Sequence, residues 1–211
     1  MSFLFRLKAY LNWKKSPAWP ISHFAFCEMR NNDYFRYMRK HNGMRPQDIA
    51  VLLKLVAAGN EPMQLTRLSA SLFISLSEVS ESLNRSQMAG LLDYDKKKVL
   101  RLNLMEFLQH GVRYVFPQKP GSMTRGLPTA HSHPFMAQTF SGDIPYIWPD
   151  GIGEVIGLEI LPFYEKQALA AREDEVLYKL LALVDVIRVG KVREVKVAVQ
   201  ELKKMVLHES Q

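Results

Sequence analysis

From Met44 onward the apolar positions recur at helical spacing. In "MRPQDIAVLLKLVAAG", Ile49, Leu52, Leu53 and Val56 fall at i, i+3, i+4 and i+7, one face of a helix. Pro46 suits the first turn, Asp48 complements the dipole, and Gly59 suits the stop. A second short helix is predicted over "LTRLSASLF". The next segment, "SLSEVSESLNRSQMAGLL", opens with Ser75 and Glu78 at capping-box spacing, so a third helix starts near Leu76. On it Val79, Leu83, Ser86 and Gly90 share a narrow inner face, with Leu76 nearby. Ser77, Glu81, Asn84 and Met88 lie opposite, flanked by Arg85. "DYDKKKVLRL" then predicts a turn and an alternating strand, a β-hairpin with Lys96, Lys97 and Lys98 at its tip.

Past Arg113 the pattern changes. Proline and glycine recur through residue 162 and exclude long helices. Arg113 to Phe116 and Val155 to Leu161 read as strands, with an extended or irregular connection between them. Helical spacing then returns. Leu177, Leu180, Leu181, Val184 and Ile187 form one stripe, and Val192, Val195, Val199, Leu202 and Val206 repeat as an a/d seam of about two heptads. "EVKVAVQ" also alternates at period two, but the seam continues on both sides and favours helix. The predicted class is mainly α with small β, in four regions: a leader, 1–43; a helical domain with a hairpin, 44–112; an extended segment, 113–162; and a C-terminal helical hairpin, 163–211, a candidate dimerisation region.

Charge sharpens this picture only in part. The 211 residues carry a net charge of +7, but residues 1–43 alone hold +6, against +1 for 44–112, −1 for 113–162 and +1 for 163–211. Basicity is therefore weak support for nucleic-acid binding by the helical domain. The sole cysteine, Cys27, excludes an internal disulfide and fits a cytoplasmic protein. No apolar run approaches the ~18 residues of a spanning helix, so no membrane partner is expected. In the leader, "NNDYFRYMRKHNG" reads as a short helix ending at Gly43. Met29 and Met44 are alternative initiators, and the leader reads as a dimer arm or as sequence ahead of the true start.

The stretch "LSASLFISLSEVSESLNRSQMAGLL" resembles the helix-turn-helix of MarR-like winged-helix transcription regulators. Leu68, Leu72, Ile74, Ser75, Ser77, Val79, Ser80, Leu83, Arg85 and the terminal Ala89-Gly90-Leu91-Leu92 carry the likeness. It covers about residues 44–112. The resemblance implies a recognition helix over Leu76 to Leu92, a wing over Asp93 to Leu102, and homodimers held by helices outside the DNA-binding core. Three departures stand out. Phe73 replaces the glycine common in such turns. Glu81 sits where a basic or neutral residue is usual. A Pro-rich segment follows the wing in place of a long dimerisation helix.

A DNA-binding regulator, a repressor or autoregulator, is the expected function, with double-stranded DNA as partner. Ser77, Ser80, Glu81, Asn84 and Arg85 would read base edges, while Lys96, Lys97 and Lys98 contact phosphates. Arg101 and Arg67 are weaker candidates for backbone contacts. The rival is a protein-interaction or antitoxin-like subunit in a toxin-antitoxin or defence operon, favoured by the near-neutral charge of 44–112 and by Glu78 and Glu81. His131 and His133 share a strand-like face, but no Asp, Glu or Cys accompanies them, so they read as surface histidines with no metal. "PDGIGE" lacks both phosphate-binding fingerprints and reads as a turn; the loop around Arg125 reads as a packed connector. No catalytic spacing appears, so neither enzymatic activity nor a cofactor is expected.

Overall fold

The stripe from Ile49 to Val56 forms α1 (Pro46–Ala57) in the computed structural model, which describes residues 43–59, 63–140 and 144–207. The readings made on residues 1–42, including the short helix ahead of Gly43, lie outside those residues. Asp48, Ala50 and Val51 are enclosed as well as the stripe, because α3 (Leu76–Met88) and α8 (Glu175–Val189) both pack on α1.

α2 (Leu65–Leu72) ends at Phe73, whose backbone is left-handed at φ 55° and ψ 33°. A non-glycine residue there costs about 1–2 kcal/mol. The turn tolerates it by local hydrogen bonding: the Ile74 N–H donates to Ser69 O at 3.2 Å, and the Ser69 hydroxyl donates to Ile74 O at 2.6 Å. Ser75 then caps α3, its hydroxyl accepting from the Glu78 N–H at 3.3 Å.

α3 stops at Met88, one turn short of the expected Leu92. Gly90 adopts φ 71°, and the Leu91 N–H reaches back to Ser86 O at 2.9 Å, a Schellman closure. That turn drives Leu91 and Leu92 into the core. The following hairpin is reduced to one antiparallel bridge, Leu92 to Val99, with the Asp93 N–H donating to Lys98 O at 3.0 Å.

Arg113 to Phe116 was expected as strand, and here the structure corrects the sequence. The segment continues a helix built from α4 (Arg101–Glu106), a π-helical turn (Phe107–Gly111) and α5 (Val112–Val115). Leu104, Leu108 and Val112 keep one buried stripe through it, and that burial outweighs the strand preference of "RYVF". The connection beyond holds more order than expected. β1 (Met123–Thr129) pairs antiparallel with both β2 (Tyr146–Pro149) and β3 (Val155–Glu159), while β2 and β3 pair in parallel, so three strands close on one another. Gly126 faces both Pro149 and Val155, and any Cβ there would run into the Trp148 carbonyl. "PDGIGE" is a turn as expected, with the Gly153 N–H donating to Asp150 O at 3.0 Å. Between β1 and β2 lie a 3-10 turn (Ala130–Ser132) and α6 (Pro134–Ala137).

After α7 (Gln167–Glu173), the stripe from Leu177 to Ile187 is wholly buried on α8. α9 (Val192–Leu207) is helical, as its longer seam argued. Part of the seam is used within the chain: Leu202 and Val206, with Ala198, are buried where α9 packs on α8 and α4, while Val195 and Val199 are half-buried and Val192 is exposed. One hydrophobic cluster runs from Ile49 to Val206, so the segments read as 44–112, 113–162 and 163–211 share a core. Among the described residues, no helix is long and apolar enough to cross a membrane.

Candidate nucleic-acid interface

The polar side of α3 survives with one major change. Ser77, Ser80, Glu81 and Met88 are exposed and Asn84 is half-buried. Arg85, expected beside them as a base reader, is only 6% exposed. Its Nε and Nη2 donate to the two Asp48 oxygens at 2.8 and 2.6 Å, and Nη2 also reaches Glu78 at 3.0 Å. Ser82 and Ser86 bracket it on the buried side, where small residues let α3 lie close to α1. Asp48 is fully enclosed at the start of α1, so its charge calls for a cation there, and Arg85 supplies it. Hydrogen bonding to Asp48 holds the Arg85 guanidinium above even its ordinary pKa, outweighing desolvation. Glu78 belongs to the same network, accepting from Arg45 at 3.1 Å and Gln47 at 2.6 Å.

The hairpin is fastened to this helix. Gln87 Nε2 donates to Tyr94 O at 2.9 Å, and Lys96 Nζ donates to Asn84 Oδ1 at 2.5 Å. Asn103 Nδ2 donates to Gly90 O at 2.8 Å at the hairpin's base. Asp93 folds inward to accept from the Lys97 and Lys98 N–H groups at 2.8 and 3.0 Å, and those backbone bonds, with the nearby lysine charges, hold its pKa below the usual range. Lys97 and Lys98 themselves stay exposed, beside a groove of about 1200 Å³ that Ser80, Leu83 and Lys96 also line. Arg101 lines the same groove. Its Nη1 donates to Val206 O at 2.8 Å, satisfying a carbonyl of the last turn of α9. Arg67 is exposed on α2.

A second polar centre escaped the sequence reading. On α8, Asp185 is fully enclosed and accepts from Trp148 Nε1 at 2.6 Å, Thr129 Oγ1 at 3.0 Å and Arg188 Nη1 at 2.7 Å. Arg188 also donates to the carbonyls of Phe116 and Leu161, at 3.0 and 3.3 Å. This pair binds the strands and two loops to the central helix. Its signal was visible: two opposite charges three residues apart inside an otherwise apolar run, "LALVDVIRV".

His131 and His133, read as surface residues on a strand-like face, are 8% and 6% exposed and lie in and just after the 3-10 turn. Edge-on packing against Tyr146 and Tyr178 draws them inside, with ring centroids 4.4 and 4.3 Å apart. His133 Nδ1 caps α6 by accepting from the Phe135 N–H at 3.1 Å, which requires that nitrogen to be unprotonated. Burial, with Lys179 nearby, lowers its pKa to about 4. Below the ordinary value of 6.5 the unfolded chain takes up a proton that the folded chain refuses. Stability is therefore expected to fall by about 3 kcal/mol between pH 6.5 and 4 on this group's account. His133→Asn keeps a capping acceptor without titrating, so parallel urea melts of the two proteins against pH should diverge over that window. Among the described residues, no group of His, Cys, Asp and Glu is placed to hold a metal ion.

Compared with known proteins, the chain matches no protein-family model, no curated protein and no solved structure.

Proposed function

We propose that this chain is a cytoplasmic, MarR-like winged-helix regulator that binds double-stranded DNA as a homodimer. The observation that carries this reading is the fastening of the hairpin to α3. The hairpin that carries the exposed Lys97 and Lys98 is thereby held beside the helix face of Ser77, Ser80, Glu81 and Asn84. Such a face admits base edges in a major groove, and the lysines supply contacts to phosphate that position without reading sequence. The network around Arg85 pairs the half-buried Glu78 with Arg45 and Arg85, while Glu81 stays exposed.

The test is binding of purified protein to labelled duplex, including DNA upstream of its own gene, over a range of salt. Binding is expected to weaken steeply as salt rises, through counterion release. Recovery of a stable protein complex with no duplex bound at low salt would reject this reading and select the antitoxin-like one.

A further inference from the structure

We infer that Lys96 and Asn84 together make this surface a reader of guanine, an inference that rests on the DNA-binding function proposed above. Lys96 Nζ donates to Asn84 Oδ1 at 2.5 Å across a partly buried contact. An ammonium group has three donors and no acceptor, so the amide atom it meets is the oxygen, whatever the initial assignment of the amide. That settles what Asn84 offers. A free asparagine amide suits adenine, accepting from N6 and donating to N7. Here Lys96 takes one of the oxygen's two lone pairs and sets a cation beside the other, so a further donor meets an ammonium group there while the amide N–H donors stay available. The other N–H groups of Lys96 are donors as well. Guanine is the base whose major-groove edge presents two acceptors, O6 and N7. Adenine would set its N6 amino group beside the Lys96 ammonium, donor against donor.

The pair is held in this state by the hairpin. Lys96 has a left-handed backbone, φ 57°, and its neighbours Lys97 and Lys98 are tied through their N–H groups to Asp93. Gln87, three residues from Asn84, anchors the same hairpin at Tyr94. Lys96 is thus a specificity-determining residue acting partly through Asn84, and its role differs from that of Lys97 and Lys98.

The experiment is selection from a random duplex library by the parent, Lys96→Met and Asn84→Ala, followed by competition measurements. The parent should enrich guanine at one position of the bound site, and adenine there should weaken binding about 5- to 150-fold. Lys96→Met frees the amide oxygen, so preference at that position alone should move to adenine. Asn84→Ala should flatten it. An unchanged guanine preference in Lys96→Met, or adenine preferred there by the parent, would overturn the inference while leaving DNA binding intact. Failure of the parent to bind duplex at all would overturn both.

Discussion

Arg85→Ala is expected to remove about 3–5 kcal/mol of stability, read as a lower urea midpoint. The loss comes from what the substitution leaves behind: among the described residues, the wholly enclosed Asp48 carboxylate keeps the Arg45 N–H at 2.8 Å and loses both guanidinium bonds. Replacing both partners with apolar residues, Arg85→Met with Asp48→Leu, should restore most of the stability, because no buried charge is then stranded. A base-reading role for Arg85 implies a different result. There the single substitution would leave the melt near the parent's and change only DNA preference.

Arg188→Ala should cost a similar amount, about 3–5 kcal/mol, and should bring a distinctive pH dependence. Burial already pushes Asp185 above the ordinary carboxylate pKa, against the opposing pull of Arg188 and of the hydrogen bonds from Trp148 and Thr129. Without Arg188 that elevation grows. A carboxyl raised in the folded state stabilises below its unfolded pKa and loses that contribution as pH climbs through the folded one. The deficit against the parent should therefore be smaller near pH 5 than near pH 8 in paired denaturation curves. A deficit independent of pH would mean that Asp185 is not the group left stranded.

Local signals carried much of this architecture. The stripe on α1, the Ser75 cap on α3 and the apolar face of α8 each declare themselves within a few turns, and each forms as expected. Arg113 to Val115 could not be read locally, because the burial of Leu108 and Val112 extends a helix over residues with strand preference. Pairing across distance was equally hidden. Arg85 meets Asp48 across 37 residues, and Asp185 meets Trp148 across the same separation. Helical periodicity placed Arg85 on the edge of the outer face, and the narrow serine surface of α3 let α1 come close enough to claim it. Lys96, by contrast, was legible as part of a basic tip, but neither its positive φ nor its bond to Asn84 is announced by composition or spacing.

The hypothesis that two hairpin ammonium groups grip phosphate beside α3 is tested most directly by the salt dependence of duplex binding in Lys97→Ala/Lys98→Ala. Removing two phosphate contacts should weaken binding on all sequences and make the slope of log K against log salt shallower by about 2. A slope and affinity equal to the parent's would show that the hairpin does not touch the backbone, and would contradict the proposed function at its base.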